Sequence, residues 1–186
     1  MELAFDFFKC LHDEATKEIK IALQSGLLAH HAEEQRMAYV LNAILQEHVI
    51  RYLGLRAFYL SANHRIKFKT EVSIGNSGYI DLILLDSDSE YAFELKRWQK
   101  AKEYNEIRTN DLKKLKSFMK EKGSLNAFEI IFTDNEHSDL NNPDQKYYEN
   151  SFREDFGNQF KLLKMEVNNF GSFSTCLYLA QTMIEG

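Results

Sequence analysis

Three charged residues stand where charge is costly. Asp81 lies inside the apolar run Tyr79 to Leu85 (YIDLILL), and Glu94 and Lys96 close the run Tyr91 to Lys96 (YAFELK). A carboxylate or ammonium in an apolar strand must be paired or bound to a cation. Glu94 and Lys96 are two residues apart, so they project from one face of their strand. A short turn joins that strand to the one bearing Asp81, which predicts two carboxylates side by side. With no arginine between them, their repulsion is relieved by a divalent cation, and hard oxygen ligands favour Mg²⁺ or Mn²⁺. Lysine on the same face could orient or deprotonate a water, or stabilise a developing negative charge.

Patterning supplies the elements that must hold these residues. A helix is predicted from about 3 to 24, ending at Ser25-Gly26. A longer helix from about 28 to 53 carries Met37, Val40, Leu41, Ile44 and Leu45 on one stripe, with Gly54 as its stop. Residues 65–74 alternate polar and apolar as a half-buried strand, and Gly75-Asn76-Ser77-Gly78 turns into the Asp81 run. With Asp86 to Ser89 as the next turn, three strands form an antiparallel meander. A helix from about 103 to 122 follows, closed by Gly123. It leads to a fourth strand, Ala127 to Thr133, reached by a crossover and so parallel to the third. Asp134 to Asn150 reads as an acidic loop, before two weaker strands near 160–167 and 173–179. Helix, three strands, helix, strand marks an α/β or α+β layered domain with a mixed sheet of about four to six strands flanked by helices.

Bulk properties are compatible with one domain over 1–186. It divides into an N-terminal helical extension (1–27), a core (28–133), and the acidic loop with the C-terminal strands (134–186). Hydrophobic residues make up 44% of the chain and aromatics 13%, fourteen of them Phe, which is enough for a filled interior. Cys10 and Cys176 lack metal-ligand spacing and read as a free pair in a reducing cytoplasm. The first ten residues, MELAFDFFKC, have no basic region and an Asp in the apolar run, unlike a signal peptide, and no run of about 18 apolar residues occurs. An intracellular protein is expected. None of the six histidines makes a zinc pattern. The net charge of −5 hides segregation: Lys96 to Lys122 holds ten basic and four acidic residues, whereas Asp134 to Asp155 holds seven acidic and two basic. For a Lys-rich helix alone, a solvated face is the favoured account of the basic stretch over a nucleic-acid surface.

Gly78-Tyr79-Ile80-Asp81, followed after twelve residues by Glu94-Leu95-Lys96, resembles the PD-(D/E)XK nuclease superfamily. The likeness spans about Glu33 to Thr133 and includes the element order. Ile80 stands where that family often has proline. The resemblance implies a restriction-endonuclease-like core and Mg²⁺- or Mn²⁺-dependent phosphodiester hydrolysis, with DNA as the partner, or RNA. Asp81 and Glu94 would ligate the metal, helped by the carbonyl of Leu95. Lys96 would position the attacking water and stabilise the transition state. The family often adds a glutamate from the preceding helix; Glu33 and Glu34 are the candidates, with Glu34 preferred, and Glu71 is a further acid near the site. Lys100, Arg108, Lys113 and Lys114 are the expected nucleic-acid contacts, although Arg108 could instead bridge to Asp111. The later helix lacks the Gln-x-x-x-Tyr element of the RecB-type branch. Trp98 and Gln99 would line the substrate groove or cap the strand. The small size points to action as a homodimer or with a partner protein. The rival expectation is an inert nucleic-acid- or protein-binding module of the same fold, or an RNA-directed nuclease or toxin.

Overall fold

The computed structural model describes residues 1–24, 40, 43–44, 46–61, 66–87, 89–98, 105–136, 144–170 and 173–184. Helix α1 (Glu2–Gln24) and helix α2 (Glu47–Ser61) precede strands β1 (Lys67–Ser73), β2 (Tyr79–Asp86) and β3 (Ser89–Trp98). A π-helical turn (Ile107–Asp111) leads into α3 (Leu112–Lys122), then β4 (Ala127–Glu136), α4 (Gln145–Phe156), β5 (Phe160–Phe170) and β6 (Phe173–Thr182). One six-stranded sheet has the order β1-β2-β3-β4-β6-β5. The meander β1–β2–β3 is antiparallel, β3 and β4 are parallel, and β6 pairs antiparallel with both β4 and β5. The fold is α+β: a mixed sheet with helices on both faces.

Burial on both faces explains why β2 reads as nearly continuous apolar sequence. Leu82, Leu84, Phe93, Leu95, Phe128 and Ile130 face α1 and α2, whereas Ile83, Ala92, Ala127 and Ile131 face α3 and α4. The stretch read as an N-terminal extension is integral to the first of these cores. Its stripe of Leu3, Phe7, Phe8, Leu11, Ala15 and Ile19 is buried, and Phe7 packs against Phe58 and Phe93 at centroid distances of 5.6 and 5.1 Å. Each of the Leu, Ile and Phe side chains contributes roughly 1.5–3 kcal/mol by leaving water.

Two sequence expectations are corrected. Gly54 is not a helix stop, because α2 runs through it to Ser61. Glycine is there to let α1 approach: a Cβ would stand 3.0 Å from Phe7 Cζ and 3.2 Å from Leu11 Cδ1. The same pair of helices is clamped by Arg56, which donates to Glu14 and Glu18 of α1. The acidic stretch from Asp134 is not one loop either. Strand β4 continues to Glu136, and Asp144 caps α4 by accepting from Tyr147 N at 2.9 Å. Tyr148, Phe152 and Phe156, at four-residue spacing, bury that helix against the second core. Gly123 does close α3, in the left-handed conformation with φ 62. Neither cysteine forms a disulfide, Cys10 lying beside the first core and Cys176 in the second. Among the described residues no helix is long and apolar enough to cross a membrane.

Gly54→Val should therefore destabilise the fold by about 1–3 kcal/mol, since its γ-carbons must enter space held by Phe7 and Leu11. Urea denaturation measures this, and an unchanged midpoint would show that α1 can move away without cost.

Candidate functional site

Register places the acids. Strands β2 and β3 pair Leu82 with Phe93 at the end of their ladder, and Asp81 and Glu94 are the next residues beyond it. Strands β3 and β4 pair Glu94 with Glu129. Paired residues share a face, so Glu94 and Glu129 lie side by side on the side covered by α3, and Asp81 follows the last pair of the β2–β3 ladder next to them. Leu95 N donates to Asp81 Oδ2 at 2.9 Å, tying β2 to β3 at this row of acids. The ladder on the other side of β2 skips this point: Thr70 pairs with Leu82 and Val72 with Ile80, whereas Glu71 between them is left-handed, with φ 54. Alternation also breaks here, since Leu82 faces the first core and Ile80 the second.

Counter-charges arrive from elements distant in sequence. Lys114 Nζ lies 2.5 Å from Glu94 Oε2 and 2.8 Å from Asp111 Oδ1. The π-helical turn, closed by Leu112 N donating to Ile107 O, buries Ile107 and Asp111 against the sheet. Arg51 of α2 bonds Glu71 Oε1 at 2.6 Å and stands 3.7 Å from Asp81 Oδ1. The expectation that no arginine would accompany the two carboxylates is thus corrected. Arg51 lies thirty residues before Asp81, and only the packing of α2 onto the sheet brings it there. Lys96 pairs with Glu47 Oε1 at 3.1 Å and Glu106 Oε2 at 3.0 Å.

These surroundings set protonation. Burial, then Asp81 and Asp111, push the Glu94 carboxyl up to about 9, against the opposing pull of Lys114. Burial and the neighbouring acids Asp111, Glu94 and Asp81 hold Glu129 well above the usual carboxylate range. Burial alone would lower Lys96, but Asp111, Glu106 and Glu47 together keep its ammonium above the ordinary lysine value. At neutral pH Lys96 is a fixed positive charge, suited to stabilising an anion and unsuited to removing a proton.

Asp81 on β2 and Glu94 and Lys96 on β3 thus lie on adjacent strands, with the Lys96 ammonium held by Glu47 and Glu106. Leu95 buries its side chain on the opposite face and pairs with Ile130. Glu33, Glu34, Gln99 and Lys100 lie outside the described residues. Glu71 is exposed and holds Arg51. Lys113 is exposed, whereas Lys114 turns inward; Arg108 Nε donates to Gln159 Oε1 at 3.0 Å, and Asp111 is engaged by Lys114. Trp98 packs edge-on against Phe156 at 5.1 Å.

Sequence reasoning missed Glu129, Asp111 and Arg51. The signal for Glu129 was available, because AFEIIFT holds one carboxylate in an apolar strand as YIDLILL does. Asp111 and Arg51 sit on helices, where polar residues are ordinary.

Carboxylate oxygens of this kind fit Mg²⁺ or Mn²⁺. Glu94 Oε1 is buried without a hydrogen-bond partner, and Asp81 Oδ1 meets Arg51 at a distance longer than a hydrogen bond. Among the described residues no three His, Cys, Asp or Glu side chains form a ready-made metal cage. Compared with known protein families, curated proteins and solved structures, the chain returns no match.

A carboxyl raised in the folded state stabilises the fold below its unfolded value and loses that contribution as pH rises through the folded value. Glu94 and Glu129 are both of this kind, so metal-free protein should lose stability between about pH 4.5 and about pH 9. Glu129→Gln should make that decline shallower. Melting temperatures across this range test it, and parallel curves for the two proteins would show that Glu129 is not held protonated.

Proposed function

We propose that this chain is a metal-dependent nuclease of the PD-(D/E)XK kind, hydrolysing phosphodiester bonds in DNA. The carrying observation is Asp81 on β2, bonded by Leu95 N between Glu94 and Lys96 of the adjacent strand β3, with Glu94 Oε1 left without a partner. Asp81 and Glu94 would hold the ion, the former oriented by Leu95 N. A bound Mg²⁺ or Mn²⁺ would supply Lewis-acid activation and acidify a water. Lys96, held cationic by Glu47 and Glu106, would face the phosphoryl oxygens and offset the charge they gain. Its part is thereby charge stabilisation and water orientation, not proton removal. Glu34, from the segment before α2, remains the proposed third acid, and Lys100, Arg108 and Lys113 the proposed backbone contacts. The Leu95 carbonyl is the proposed additional metal ligand, and action in the cytoplasm as a homodimer or with a partner protein belongs to the same proposal.

One observation favours a second reading. Lys114 and Arg51 already compensate Glu94 and Asp81, so the row is neutralised in part without an ion. An inert nucleic-acid- or protein-binding module of this fold accommodates that directly. An RNA substrate is distinguished from DNA by the choice of polynucleotide alone.

Purified protein is expected to cut DNA in Mg²⁺ or Mn²⁺ and to stop on chelation. Lys96→Ala should slow cleavage by roughly 10²–10³-fold while circular dichroism stays unchanged. Double-stranded DNA, single-stranded DNA and RNA should be assayed in parallel. Undiminished cleavage by the variant would remove Lys96 from the mechanism, and no cleavage of any substrate would leave the inert module.

A further inference from the structure

The outer face of α3 carries positive charge that the acid site does not use. Lys113, Lys116 and Lys120 follow one another at three- and four-residue spacing, so they share that face while Lys114 turns inward to Glu94. They line a cleft of about 330 Å³ whose head is Thr109, in the π-helical turn that carries Asp111. A second cleft, of about 480 Å³, continues from it past the end of the helix, because Lys116 and Lys120 border both. Its walls are aliphatic, formed by Met119, Leu125, Met183 and Ile184. From Thr109 to Gly123 the helical rise makes the groove about 20 Å long. No acidic side chain is among the described residues that line it.

The aliphatic end is open and held in place. Leu125 and Ile184 are 58% and 64% exposed. The backbone beside them is pinned nonetheless: Leu125 O accepts from Gln181 Nε2 at 3.1 Å, and Met183 N donates to Gln159 O at 3.0 Å. Gly123 contributes bare backbone to the wall, and a Cβ there would meet nothing within 4 Å. A ligand matching this groove repeats negative charge along its length and also presents apolar faces. Duplex DNA offers its phosphates to the lysines but keeps its base faces stacked inside. A single strand offers both at every nucleotide, with phosphates for lysine and unstacked bases for Leu, Ile and Met side chains.

We propose that this groove binds single-stranded DNA, with phosphates against Lys113, Lys116 and Lys120 and an unstacked base against Leu125, Met183 and Ile184. Its place in catalysis rests on the nuclease reading: the groove begins at the turn that lowers Asp111 onto the acids, and so leads a strand along α3 from the site. Binding itself needs neither metal nor turnover.

The test is fluorescence anisotropy in chelator, with labelled oligo(dT), a duplex of the same length and polyglutamate as the three probes. Oligo(dT) should bind roughly tenfold more tightly than duplex. Three phosphate contacts should give its log affinity a slope of about −2 against log salt. Lys113→Ala together with Lys120→Ala should make that slope shallower by roughly 1. Leu125→Ser should weaken oligo(dT) by about tenfold and leave the duplex as in wild type. Melting temperatures check that each variant is folded, and Ile184→Ser replaces Leu125→Ser if the latter is not. Duplex bound as tightly as oligo(dT), or an aliphatic variant with undiminished oligo(dT) affinity, overturns the proposal. Polyglutamate bound as tightly as oligo(dT) overturns it in favour of an acidic protein partner. Oligo(dT) binding without cleavage in Mg²⁺ or Mn²⁺ upholds the groove and removes the nuclease reading, whereas cleavage without a preference for oligo(dT) does the reverse.

Discussion

Acids at the centre of a sheet covered on both faces have to be matched by positive charge or keep their proton, and that requirement organises this molecule. Asp81, Glu94 and Glu129 stand on three neighbouring strands, and Asp111 is lowered onto them from the helical layer. Removing one partner from a buried pair of this kind costs on the order of 3–5 kcal/mol, because the other charge is left without compensation. The helix closing this face must therefore bring a cation with it. Lys114 meets that condition from α3, and Arg51 from α2 does so at the Asp81 end. The helical layers are selected by charge as well as by apolar fit.

Departures from regular geometry gather around the same row. Glu71 is left-handed within β1, the alternation of β2 breaks at Asp81, and the only π-helical turn among the described residues carries Asp111. Each costs local stability, and away from a functional site such departures are uncommon. The apolar elements follow their periods closely: α1 buries one stripe, β2 and β3 bury both faces, and Phe7 fits against the bare backbone of Gly54.

Sequence pattern was enough to find the three-strand meander, the parallel return through α3 and the two C-terminal strands, because period-two alternation and turn residues are local signals. It also found Asp81, Glu94 and Lys96, since a charge inside an apolar run stands out. Helix α4 was missed because its acidic and amide residues look like loop when the burial of Tyr148, Phe152 and Phe156 is not known. Gly54 was misjudged because a glycine that ends a helix and a glycine that admits a neighbouring helix are the same residue in a sequence.

The chain's residue order by itself determined which strands exist, their alternation and therefore which side chains share a face; these depend on backbone geometry repeated every two or four residues. Only tertiary structure decided the partners of the acids. Lys114 is twenty residues from Glu94 and Arg51 thirty from Asp81, and the sign of their approach depends on how α3 and α2 rotate onto the sheet. Long-range electrostatics has no period, so no spacing rule announces it, and of the five lysines of α3 it is Lys114 that reaches the buried carboxylates.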